Sequence, residues 1–324
     1  MATVTFDQQI FPTKYQIEFK GNRYYLAGKM TKRVTSILKK FPDDKEGLLD
    51  WARRCVALTA GRMLHDRVMV HPKTGKRVVY FSEEEISGLA EQAYRNPDAI
   101  KEETADTGTA VHAFIDEWLQ GGATEEKYQE ICAAYLLPTE TMNTLELIQK
   151  QTKTKDMSDA DRNLFYDQMK GYMFRKFVDF WKASGLIFVT SEMLIGSLEY
   201  GFCGRLDVLA KDAWGRLFLL DFKTSKWVSP SYFSQVAAYK LAFEEMTGLK
   251  IHKCAIVQCP REWTDYNLGF GVYPVETARY KKIFLNILKF WNETEFEAAK
   301  CRLDHLPVMR AARRTPAADA YAIP

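Results

Sequence analysis

No apolar run in this 324-residue chain approaches the ~20 residues that a bilayer-spanning helix requires. Low-complexity tracts and internal repeats are also missing, which leaves the composition of an ordinary globular protein. Cysteine is sparse and dispersed. Cys55, Cys132, Cys203, Cys254, Cys259 and Cys301 include no CxxC pair, so neither a disulfide framework nor a structural zinc site is expected. Cys254, Cys259 and Cys301 are candidates for an iron–sulfur cluster. Their spacing is wider than cluster-binding runs use, and no cluster is expected. The start, MATVTFDQQIFPTKYQ, lacks the basic-then-apolar layout of a secretory signal and is too poor in arginine for a transit peptide. A cytoplasmic location, away from any membrane, is the expectation. A TGK triplet at 74–76 invites a phosphate-loop reading, but the glycine needed five residues before Gly75 is Val70, which closes that option.

What is present is 47% hydrophobic and 27% charged, enough for one large domain or two modest ones. The net charge of +3 is small but unevenly placed. Residues 31–77 carry twelve Lys/Arg against five Asp/Glu, and residues 82–106 carry eight acids against two bases. The basic segment suits either a phosphate backbone or a solvated helical surface.

Tyr15–Phe19 alternates apolar and polar, and Arg23–Ala27 follows across Gly21-Asn22, which predicts a hairpin. Residues 33–95 read as largely helical around a turn at 71–75. A helix over Thr107–Leu119 is predicted from the stripe Val111, Phe114, Ile115, Trp118 and Leu119. A helix over Ser158–Ala183, a strand near Ile187–Ile195, a hairpin over 204–224, a helix from Ser229-Pro230 to Gly248, a strand Ile251–Gln258 and a helix over about 276–299 complete the pattern. The predicted fold class is α/β: a central mixed sheet flanked by helices. The expected divisions are a hairpin-and-helix elaboration over 1–105, a core over 106–299 and a flexible basic tail over 300–324.

The hairpin GRLDVLAKDAWGRLFLLDFKT carries acids where strands seldom hold them. Period-2 geometry groups Leu206, Val208 and Ala210 on one face and Arg205, Asp207 and Leu209 on the other. Asp221 and Lys223 share a face of the second strand. Antiparallel pairing through the turn brings Asp207 and Asp221 together near the open end, where two carboxylates suit an oxygen-coordinated divalent cation. Lys223 is then placed to orient a water and offset charge at a phosphate. Taken alone, a D-x-K triplet fits an edge salt bridge better than a metal site. Glu192 is either a third acid of the cluster or an exposed strand residue. His112 borders the apolar stripe of its helix and is either a ligand or a partly buried residue with a local partner. Gln235 and Tyr239, four apart on the next helix, are candidates to hold a phosphate or base. Trp227 and Tyr232 offer either base stacking or helix-cap packing. Arg205 and Lys226 join Gln235, Tyr239 and Trp227 as candidate contacts to a phosphate or base.

Together these residues resemble the PD-(D/E)XK nuclease superfamily, in its RecB-like exonuclease branch. GTAVH (Gly108–His112) matches a G-x-x-x-H helix, GRLD (Gly204–Asp207) a G-x-x-D strand, Asp221-Phe222-Lys223 a D-x-K strand, and Gln235–Tyr239 a Q-x-x-x-Y helix. The match spans roughly 107–248, with a vaguer likeness from about Tyr15 to phage and mitochondrial genome maintenance exonucleases. The resemblance implies His112, Asp207, Asp221 and the Phe222 carbonyl as metal ligands, with Lys223 as the catalytic lysine. Glu192 joins Asp207, Asp221 and Lys223 in the expected catalytic set. It implies one or two Mg²⁺ or Mn²⁺ ions and a DNA substrate, single-stranded or at a duplex end. It also implies work in replication, recombination or repair in a bacterial or phage-infected cytoplasm. A recombination or single-strand-binding partner and an oligomer are compatible with it. The expected activity is end-dependent phosphodiester hydrolysis. The alternatives are a structure-selective endonuclease of the same chemistry and a non-catalytic DNA-binding module.

Overall fold

The computed structural model describes residues 11–41, 82–135, 159–225, 227–259 and 270–300, with scattered positions between 52 and 78. The expected hairpin forms from β1 (Ile17–Lys20) and β2 (Arg23–Leu26), with Gly21 and Asn22 both left-handed at the turn. The chain returns through a strand the pattern did not disclose, β3 (Lys29–Arg33). Its sequence, KMTKR, has no apolar alternation because its burial is only partial. Helix α1 (Val34–Leu38) follows and buries Val34, Ile37 and Leu38. Described positions between 52 and 65 are helical, and the turn at 72–74 joins the two-residue strands β4 (Met69–Val70) and β5 (Arg77–Val78).

Helix α2 spans Glu83–Gln120, far longer than the stripe at 107–119 predicts. Its last three turns pack into the core and carry the apolar period, whereas the described side chains over 84–95 are mostly exposed, Ala93 excepted. Its beginning is set by a capping box instead: Ser82 Oγ accepts from the Glu85 amide at 3.1 Å, and Glu85 accepts from the Ser82 amide at 2.9 Å. The boundary expected at 105/106 falls inside this helix. Helices α3 (Glu125–Ala134) and α4 (Asp159–Ser184) follow. The core then runs β6 (Ile187–Ser197), β7 (Phe202–Lys211), β8 (Leu217–Lys223), α5 (Pro230–Thr247), β9 (Ile251–Gln258), β10 (Gly271–Pro274) and α6 (Thr277–Lys300). Ser229 caps α5 and Pro230 opens it, as predicted. The expected tail beyond residue 300 lies outside the described residues.

The main sheet has the order β1-β2-β3-β7-β8-β9-β10, with β6 antiparallel to β7 on its other side. It is mixed: β3 runs parallel to β7 and β8 parallel to β9, while β7–β8 and β9–β10 are antiparallel. One face is covered by α2, α3 and α4, whose Val111, Trp118, Phe174 and Phe177 pack on Val208, Leu220, Phe222 and Val257. The other is covered by α1, α5 and α6, where Val236, Phe243 and Phe284 meet Ile195, Leu209, Leu219 and Ile256. Helices on both faces of one sheet are the predicted architecture. Truncating a fully buried aromatic here, such as Phe174 or Phe243, costs about 3–5 kcal/mol by this packing. Among the described residues no helix is long and apolar enough to cross a membrane.

One detail of the sheet creates the site. Strand β7 pairs with β3 only at Phe202–Cys203 and with β8 only from Val208 to Lys211. Between these ladders Gly204–Asp207 face neither strand, so the sheet opens a gap there. The period-2 grouping also fails at this point. Leu206 packs with Leu209 on the α5 side, while Val208 and Ala210 pack on the α4 side. The strand turns over near Asp207 as it leaves β3 for β8.

Candidate metal centre

The gap gathers residues from four elements. Asp207 does not continue the backbone ladder. Its Oδ2 instead accepts the Phe222 amide at 2.7 Å, a side chain replacing the missing strand partner. His112, from α2, places Nδ1 3.9 Å from the same oxygen, and its ring lies edge-on to that of Phe222 with centroids 6.0 Å apart. Glu192 stands across from Asp207 on β6, since Ser191 pairs with Val208 and Met193 with Leu206. It adopts φ of 52°, a left-handed conformation uncommon for a glutamate and one that aims its carboxylate into the gap. Ligand atoms of His112, Glu192 and Asp207 lie within 4.8 Å of one another.

Asp221 and Lys223 close the other side. Asp221 is completely buried, with Oδ2 2.6 Å from Lys223 Nζ and Oδ1 accepting from the Gln235 amide at 3.4 Å. Gln235 in turn donates to the Tyr239 hydroxyl at 2.9 Å. The Lys223 ammonium also lies 5.0 Å over the Tyr232 ring.

Two motif glycines are explained by close approach. A Cβ on Gly204 would sit 2.5 Å from Tyr239 Cε1, so the tyrosine ring packs directly beneath the G-x-x-D strand. A Cβ on Gly108 would sit 2.8 Å from Thr224 Oγ1, so α2 docks against the residue following Lys223. A helical glycine costs roughly 1 kcal/mol relative to alanine, and that cost was the available signal for such a contact. Thr224 itself carried no separate signal.

The electrostatics are those of an anion-rich pocket short of positive charge. Burial pushes the Asp221 carboxyl up to about 6, with Asp207 adding to the rise against Lys223. Burial, then repulsion from Asp207, pushes Glu192 up to about 7. Asp207 is raised by burial as well. Burial and the Lys223 charge hold His112 down at about 4, so its imidazole is neutral and a competent ligand at physiological pH. Burial pulls on Lys223 in the opposite sense, but Asp221 and Asp207 outweigh it and keep the ammonium charged. Carboxylates with one neutral imidazole form a donor set suited to Mg²⁺ or Mn²⁺. A divalent cation would relieve the repulsion that raises these carboxyls, and the residues present fit it.

The remaining expected residues fall as follows. Tyr239 is only 3% exposed, so it supports Gln235 and the β7 backbone from below and presents no surface to DNA. Arg205 is engaged within the protein, 3.2 Å from Glu192 and stacked on Phe19. Trp227 is 55% exposed just past the site, and Lys226 lies outside the described residues. The Phe222 backbone borders the cluster, its amide held by Asp207. Phe19 has no counterpart in sequence reasoning, being far from every motif along the chain.

Compared with known proteins, the sequence model of the PD-(D/E)XK nuclease superfamily matches residues 81–299. No curated protein matches the chain. Among solved structures it is similar to an alkaline exonuclease (LHK-Exo) from Laribacter hongkongensis, at 17% identity over 52% of this chain and 91% of that one, with a TM-score of 0.25.

Proposed function

The chain belongs to the PD-(D/E)XK nuclease superfamily, whose members use divalent metal ions, and from that premise we propose that it is a DNA exonuclease. It hydrolyses phosphodiester bonds from a strand end, on single-stranded or frayed DNA, in replication, recombination or repair. The observation that carries this reading is the convergence of His112, Glu192 and Asp207 within 4.8 Å, beside the Asp221–Lys223 pair.

His112, Asp207, Asp221, Glu192 and the Phe222 carbonyl would hold the cation. When bound, it supplies Lewis acidity at the phosphate and an activated water. Lys223 places a fixed ammonium where negative charge develops on the phosphoryl oxygens, and Asp221 keeps it aimed. Gln235 fixes the orientation of the Asp221 carboxylate, and Tyr239 fixes Gln235. Trp227 offers an exposed indole on which a base of the incoming strand stacks, a contact that tolerates any sequence.

The test uses a linear single strand and the same strand closed into a circle, each with Mg²⁺ or Mn²⁺ and with EDTA as control. Metal-dependent loss of the linear strand with the circle intact is expected. Cleavage of both would make the protein an endonuclease of the same chemistry. Salt-sensitive binding without any cleavage would make it a DNA-binding module.

A further inference from the structure

The family match begins at residue 81, so the extension β1–β3 lies outside it. Yet the extension is docked directly behind the metal cluster. Lys32 and Arg33 of β3 pair with Phe202 and Cys203 of β7, at the start of the strand that carries Asp207. The Tyr15 hydroxyl donates to the Gly196 carbonyl at 2.9 Å and to Glu245 at 3.0 Å, which ties the segment to the end of β6 and to α5. Two guanidiniums, those of Arg33 and Arg205, each lie 5.3 Å from the centroid of the Phe19 ring of β1. Arg33 also lies 5.2 Å from the Tyr24 ring and donates to the Asn22 carbonyl.

Arg205 is the inward link. Its Nη1 lies 3.2 Å from Glu192 Oε2, and Glu192 is the cluster's one ligand held on a left-handed backbone. A glutamate side chain has three rotatable bonds, so a backbone that turns it into the gap still leaves the final position of its carboxylate to its partners. The Arg205 guanidinium sets that position, because its Nη1 donates to Oε2 and leaves the other oxygen for a ligand role. The ring then fixes the guanidinium, since a cation held over an aromatic face resists being drawn out to water.

We propose that the amino-terminal extension is a working part of the metal centre: Phe19 holds Arg205, Arg205 holds Glu192, and Glu192 is thereby aimed at His112 and Asp207. Phe19 and Arg205 are positioning residues in this scheme, and the cation responds to a side chain far outside the family's matched region. The inference rests on reading this cluster as the divalent-cation site.

The experiment is Mn²⁺ titration calorimetry on the full chain without DNA, with metal-free urea unfolding run in parallel to check each variant's fold. Arg205→Met should weaken Mn²⁺ binding by about 10–100-fold, the usual effect of losing a partner that orients a ligand. Phe19→Leu keeps the apolar volume but removes the π face, and should weaken binding by roughly the lower end of that range. Phe19→Tyr should restore wild-type affinity. In the Arg205→Met background, Phe19→Leu should cost nothing further, because its effect passes through Arg205. A folded Phe19→Leu protein with wild-type or tighter Mn²⁺ binding overturns the proposal, as do losses that multiply in the double variant. If Phe19→Leu fails to fold, Arg205→Lys decides. It keeps the charge but is too short to place an ammonium where Nη1 stands, so weakened binding supports the relay and full affinity refutes it. Asp207→Asn separates the two claims: wild-type Mn²⁺ affinity in that variant would sink the metal-site reading itself, whatever Phe19 does.

Discussion

A single added methyl group at Gly204 would reach the metal centre from beneath. Its Cβ would meet the Tyr239 ring at 2.5 Å, and that ring is buried with its hydroxyl committed to Gln235. Gly204→Ala is expected to destabilise the protein by about 1–3 kcal/mol, the range for forcing extra atoms into a packed interior. Urea unfolding checks this, and an unchanged midpoint would mean that the ring has room to retreat. The raised carboxyls make a second prediction at this scale. Asp221 near 6 and Glu192 near 7 must give up protons to become ligands, whereas His112 near 4 is already neutral. Mn²⁺ affinity should therefore rise from pH 5 to pH 8 and level off above it, with proton release visible as heats that depend on the buffer. An affinity that does not change with pH would place the cation elsewhere.

Elements were legible where burial writes a period into the sequence and illegible where it does not. β9 (Ile251–Gln258) matches its expected span because both its faces are covered, and α5 begins and ends at its Ser-Pro and Gly signals. The stripe of α2 shows only the last turns of the helix, while its start is held by the Ser82–Glu85 box. Ser82→Ala is accordingly expected to speed amide exchange over residues 83–95, a local loss of about 1 kcal/mol. The melting temperature should not move, because that end of the helix lies outside the core. A lowered melting temperature would show that the arm is coupled to the global fold. Of the site, Asp207, Asp221 and Lys223 could be read because charge inside an apolar strand is anomalous. Glu192 and His112 stayed ambiguous until the fold brought them to Asp207. The overturning of β7 at Asp207 and the approach of Phe19 depend on tertiary contacts that leave no local pattern.

For the whole molecule, one sheet carries both the family's core and an extension beyond it, and the site sits where their ladders part on β7. In that gap the Asp207 side chain accepts the Phe222 amide, and the candidate ligands gather in the same place. The most direct test of the account is the single-turnover cleavage rate of a linear single strand by wild-type protein and by Lys223→Ala, at saturating Mg²⁺. Melting temperature and DNA affinity are measured on the same samples. The account predicts a rate lowered by about 10²–10³-fold, as for removal of one preorganised charge-stabilising donor, with fold and most DNA binding retained. A folded Lys223→Ala protein that cleaves at the wild-type rate would contradict it and reduce the Asp221–Lys223 pair to a structural salt bridge.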